Sequence, residues 1–283
     1  MYNEKFFAFA APGARGVIPP VSGDARVEVV TMDKKLIDGC IFCNANWIIK
    51  PFKQEGLYKH NSDVLLMFIG ANNMDPENLN AEIELWIEND KLFLTRTCIV
   101  FVPAGVAYGN MEARNIKKPV FNYMCHINTD TYEEIPTEAT AATATYACNW
   151  VEKYDPVDGR LPAAPEGFLT RLLWIDGKKL SGAPYLESVW FNTPNDTGPE
   201  KHTHDFDEIL GFFGSDPKHP DELGAELTFT VDDEVIPINK SCLVYVPRGL
   251  EHSPILVPKL ERPIIHFSGG NGGDYVRKGN DQS

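Results

Sequence analysis

The sequence predicts an all-β protein made of two tandem antiparallel β-barrels. Two observations carry this: the chain repeats itself at a fixed offset, and each copy is a series of short β-branched and aromatic runs broken by turn residues. Shifted by 144 residues (Phe68 onto Phe212), 68–121 aligns with 212–265 without a gap. "FIG" meets "FFG", Pro76 meets Pro220, Leu79 meets Leu223, "AEIEL" falls on "AELTF" and "TCIVFVPAGV" on "SCLVYVPRGL". A match of that length marks two copies of one structural unit.

Each element follows from composition and punctuation. In the first half, "ARVEVVTM", "CIFCNANWII", "AEIELWI" and "RTCIVFVP" are rich in β-branched and aromatic residues and read as strands. "FLTRLLWI", "YLESVWFN", "AELTFTV" and "SCLVYVP" take the matching places in the second half. "ENDK", "PAG", "VDDE" and "PRG" supply the turns. Short spacing between runs suits antiparallel barrels or sandwiches. "DPENLNAEIE" and "HPDELGAE" are expected to hold a short helical turn before their strands. The expected boundaries are an N-terminal domain at 1–128, a connector at 129–160 that opens Thr- and Ala-rich, and a C-terminal domain at 161–283.

Bulk properties remove several function classes. A net charge of −14 supplies no electrostatic footprint for nucleic acid or an anionic membrane. No apolar run approaches the roughly 20 residues needed to span a bilayer. The start, "MYNEKFFAFAAPGARG", lacks a basic segment followed by a sustained apolar one, so a cytoplasmic location is expected. Six scattered cysteines form no disulfide framework; Cys40 and Cys43 lie in a strand-like run with no second pair at zinc-ribbon spacing.

Chemistry concentrates in the second half, which holds five of the seven histidines between His202 and His266. In "GPEKHTHDFDEILGFFG" (198–214), His202, His204 and Glu208 stand at even separations, so an extended chain points all three the same way. Asp205 and Asp207 have the opposite parity. His252 follows "VPRGLEH", where Pro247 and Gly249 set a turn that brings it back against the first three. Three imidazoles and a carboxylate suit one divalent first-row metal, with positions left open for substrate. Iron, manganese, nickel and cobalt fit this donor set better than zinc, which prefers four ligands. His266 and Tyr245 are the candidate catalytic side chains beside the metal. Packing alone also explains Tyr245, and a hydrogen-bonded core role also explains His266.

These residues resemble the cupin superfamily. "GPEKHTHDFDEILGFFG" is similar to the first cupin motif, a glycine, His-x-His-x-x-x-Glu and a second glycine. "PRGLEH" is similar to the second, Pro-x-Gly-x-x-His. The asparagine often found after that last histidine is replaced here by "SPIL". Two such units imply a bicupin with the double-stranded β-helix, or jelly-roll, fold. At the 144-residue offset the four ligand positions fall on Tyr58, His60, Val64 and Tyr108, so the first barrel is expected to hold no metal and to serve structure. A ligand pocket lined by Tyr58, His60 and Tyr108 is the alternative.

The resemblance implies an enzyme acting on a small-molecule substrate, and oxidative cleavage of the dioxygenase type is the leading expectation. Redox-neutral decarboxylase, lyase or isomerase chemistry is the alternative, and a non-catalytic metal or small-ligand binder a third. Cupin relatives are often dimers, which implies a homodimer.

Overall fold

The computed structural model describes residues 3–11, 25–159, 161 and 163–275. Apart from one helical turn, Asn3–Phe6, the regular elements among them are strands. The described residues divide into two compact units: 25–34 with 41–153, and 3–11 with 35–40 and those from 154 onward.

The first unit has two antiparallel sheets. One is ordered Trp150–Val151, Cys98–Val102, Val64–Gly70, Val120–His126, Phe42–Ile48, Arg26–Met32. The other runs Ile135–Thr137, Phe52–Lys59, Tyr108–Arg114, Asn78–Ile87, Asp90–Arg96. Alternation in Asn78–Ile87 sends Leu79, Ile83, Leu85 and Ile87 inward onto Phe68, Val100 and Val120.

The second unit repeats the plan. Its larger sheet is ordered Phe7–Phe9, Cys242–Val246, Glu208–Gly214, Ile264–Gly270, Leu186–Phe191, Leu169–Ile175. The smaller holds Glu234–Lys240, Glu222–Val231 and His252–Leu260. Phe212, Leu223, Leu227, Phe229, Val244 and Val257 fill the space between them.

The 144-residue offset holds down to single hydrogen bonds. The Gly105 N–H donates to the His60 carbonyl at 2.8 Å, as the Gly249 N–H does to that of His204 at 2.9 Å. Asp63 accepts from the Ala104 N–H at 2.8 Å, and Asp207 from the Arg248 N–H at 2.9 Å. Gly70 and Gly214 are required for the same reason: a Cβ would stand 2.1 Å from the Asn78 carbonyl oxygen in one and 2.0 Å from that of Glu222 in the other.

Three expectations are revised. "DPENLNAEIE" and "HPDELGAE" form turns rather than helical ones, with Pro76 and Pro220 two residues before bulged strands that start at Asn78 and Glu222. The segment at 129–153 packs into the first unit instead of linking the two. Its backbone N–H groups at Thr140 and Ala141 donate to the buried Glu88 carboxylate, and those of Ala144 and Tyr146 to the buried Asp90. Burial raises the pKa of Glu88, but the N–H groups of Ala107, Thr140 and Ala141 outweigh it and hold the carboxyl below its usual range. Finally, strand Phe7–Phe9 covers the edge of the second unit's larger sheet, pairing Phe7 with Val244, so the N-terminal residues belong to the C-terminal barrel.

Candidate functional site

Local backbone geometry brings the four motif residues together. His202 and His252 sit directly opposite, exchanging two backbone hydrogen bonds of 3.1 Å. The His252 side arrives through the turn at Pro247–Gly249, where Gly249 adopts φ +79°. Asp207, facing away from the histidines, braces this turn through Arg248 and also accepts from the Asn271 side chain at 3.0 Å.

The nearest ring nitrogens of His202, His204 and His252 lie within 4.8 Å of one another. Glu208 completes the cluster, with its Oε2 3.0 Å from His252 Nε2 and its Oε1 3.7 Å from His204 Nε2. All four side chains are buried. The approach of Oε2 to His252 lacks hydrogen-bonding geometry, leaving a buried carboxylate oxygen without a hydrogen-bond partner.

Tautomers follow from the neighbours. His202 Nδ1 lies 2.7 Å from the Glu200 carbonyl and His252 Nδ1 3.0 Å from that of Leu250. A carbonyl only accepts, so each Nδ1 carries the proton and each Nε2 offers a lone pair toward the cluster. Burial pushes the Glu208 carboxyl up, but the adjacent His252 ring, with those of His204 and His202, holds it below its ordinary value.

The cluster opens on a cavity of about 470 Å³ inside the second unit. Phe168, Leu169, Val189, Phe191, Leu210 and Ile255 give it apolar walls. His266 lines it too, between Phe191 and Phe212 at ring distances of 4.8 and 4.7 Å. Its Nδ1 donates to the Gly211 carbonyl at 2.9 Å. Burial lowers its pKa to about 4 against weaker opposing pulls from that carbonyl and Glu208, so the ring is neutral at pH 7.

Tyr245 is not brought to the cavity. On Cys242–Val246 the inward residues are Cys242, Val244 and Val246, which join the core, so Tyr245 points to the opposite face. There it hydrogen-bonds Asp207, and burial with that charge raises its hydroxyl to about 12.

Polar residues that sequence reasoning missed line the cavity as well: Arg171, Glu187, Tyr154 and Ser268. The Tyr154 hydroxyl donates to Glu187, Ser268 Oγ donates to Glu187 Oε1 at 3.5 Å, and the Arg171 guanidinium lies 5.7 Å from the centre of the Tyr154 ring.

In the first unit, rings fill three of the four equivalent positions and Val64 replaces the carboxylate. Tyr58 and Tyr108 approach to 4.8 Å, and each lies 5.5 Å from His60. His126 and Tyr132 close the group, with His126 meeting His60 edge-on at 4.3 Å. His60 donates its Nδ1 proton to the Glu133 carbonyl at 2.6 Å. Among the described residues, the histidine cluster of the second unit is the one group of three or more metal-ligating side chains.

No protein-family model matches the chain, and no curated protein matches its sequence. Solved structures do. AerE from Microcystis aeruginosa is similar over 94% of this chain and 98% of its own, with a TM-score of 0.55 at 13% identity. Oxalate decarboxylase from Bacillus subtilis, solved at pH 4.6, is similar over 98% of this chain and 79% of its own, with a TM-score of 0.63 at 10% identity. At these identities the likeness is one of fold, and that fold is the tandem pair of cupin-type antiparallel barrels.

Proposed function

We propose that the protein is a metal-dependent bicupin enzyme carrying out redox-neutral chemistry on a small organic acid, in the class of decarboxylation, isomerisation or elimination. One observation carries this reading: His202, His204, Glu208 and His252 converge, and all but His204 line the wall of a largely apolar cavity. The donor set fits a divalent cation, since two lone pairs are aimed by carbonyl-bound tautomers and Glu208 Oε2 lacks a hydrogen-bond partner. Iron, manganese, nickel and cobalt suit it better than zinc. The name of one similar fold, an oxalate decarboxylase, favours the redox-neutral alternative over the dioxygenase expected first.

A cation bound there supplies a Lewis acid for a carbonyl or carboxylate oxygen. The chain's own residues do the rest. Glu208 offsets one positive charge, and the apolar walls exclude water so that each charge acts at low dielectric. His266, neutral and fixed by Gly211, presents an uncharged imidazole that can accept a hydrogen bond from the substrate.

Turnover of 2-oxo and 3-oxo acids by metal-loaded protein under argon tests this. Carbon dioxide release or an isomerised product without oxygen uptake is expected; turnover that requires oxygen contradicts it. His60→Ala is expected to leave metal content unchanged, since the first unit offers no comparable donor set among its described residues. A drop in metal on elemental analysis would show that the first barrel also holds a cation.

A further inference from the structure

The strand register spreads polar side chains among apolar ones across the inner face of the second unit's larger sheet. Glu208 stands opposite Gly270, Leu210 opposite Ser268, and Ser268 opposite Glu187. One row further, Phe212 faces His266, His266 faces Val189, and Val189 faces Arg171. These positions therefore run from the histidine cluster to a guanidinium on Leu169–Ile175, three strands away. Three strands at about 4.8 Å and four residues along the strand at about 3.3 Å put the two backbones ~20 Å apart.

We propose that Arg171 is a specificity-determining residue that binds the carboxylate of a substrate whose reactive end sits at the metal. This rests on the metal-dependent reading above and names its substrate class: a monocarboxylate with an apolar, ring-sized body. A two-carbon diacid at the histidine cluster is too short to reach Arg171. A longer acid spans the gap, lying against Phe168, Phe191 and Val189. A planar guanidinium matches a carboxylate bidentately. Glu187, held by the hydroxyls of Tyr154 and Ser268, lines the same wall of the cavity. Tyr154 fixes the guanidinium by hydrogen bonding it and by lying under it.

The test uses the metal-loaded full chain and three probes: catechol, 3-(3,4-dihydroxyphenyl)propanoate and its primary amide. Catechol oxygens chelate at the metal end, and the side chain carries the carboxylate or the uncharged amide toward Arg171. Calorimetry is expected to show the acid bound roughly tenfold or more tighter than the amide, the size of a charge-assisted contact. Arg171→Met is expected to erase that preference while catechol affinity, metal content and melting temperature stay at wild-type values; Arg171→Lys retains part of it. Equal binding of acid and amide by the wild-type protein, with catechol still bound, overturns the role of Arg171 alone. A preference for the acid that survives in Arg171→Met also overturns it. Failure of catechol to bind at all overturns the metal centre on which it rests.

Discussion

Replacing His252 with Ala is expected to release the metal and abolish turnover while leaving both barrels folded. His252 is 2% exposed and stands across from His202, with its Nε2 3.0 Å from Glu208. Its backbone hydrogen bonds to His202 persist in the variant, so the strand register is kept. Losing an outer partner of a metal ligand already costs about 10–100-fold in affinity or activity, and losing a ligand costs more. The metal-free variant is also expected to be less stable than metal-free wild type by about 3 kcal/mol, because truncating a buried ring leaves a cavity beside Glu208. Elemental analysis, circular dichroism and urea unfolding separate these effects. Full metal content in the variant would remove His252 from the ligand set.

Acid is expected to unfold the protein well before its carboxylates titrate. Burial lowers the pKa of His266 to about 4 and that of His60 to about 4; it lowers His126 to about 3, with His60 adding to the effect. Unfolded histidines titrate near 6.5. Below that pH the unfolded chain takes up protons that the folded chain refuses, so stability is full above about 6.5 and is lost as pH falls toward 4. Each such histidine costs up to about 1.4 kcal/mol per pH unit in that window. The first unit carries two of the three and is expected to be the more acid-sensitive. The tyrosines around His60 offer no compensation: burial raises Tyr58 to about 12 and moves Tyr108 and Tyr132 further up, so all stay neutral. Urea midpoints measured from pH 7.5 to 4.5 should fall steeply, and His126→Asn should flatten the slope for the first unit. A flat profile in wild type would contradict the burial of these rings.

What the sequence disclosed and what it hid divide along the range of the interactions. The motif residues are legible because their convergence is local: 202, 204 and 208 share a parity, and one turn returns His252. The replacement of these ligands in the first barrel is legible for the same reason, since the 144-residue offset maps them onto Tyr58, His60, Val64 and Tyr108. Tyr245 shows how proximity misleads. It adjoins the motif, yet Val246 pairs with Glu208, and its neighbour on the same strand turns outward. Arg171 is hidden by a register shift between Arg171 and Leu173, which breaks the simple alternation of "FLTRLLWI". The Thr- and Ala-rich segment reads as a linker because its acceptors, Glu88 and Asp90, lie more than 50 residues earlier in the chain for Thr140 and Ala144.

Metal stoichiometry with the ion located by anomalous scattering is the most direct test of the catalytic centre. One cation per chain is predicted, bonded to His202, His204, Glu208 and His252 in the second unit. A protein that takes up no cation, or whose cation is found in the first unit, would contradict it.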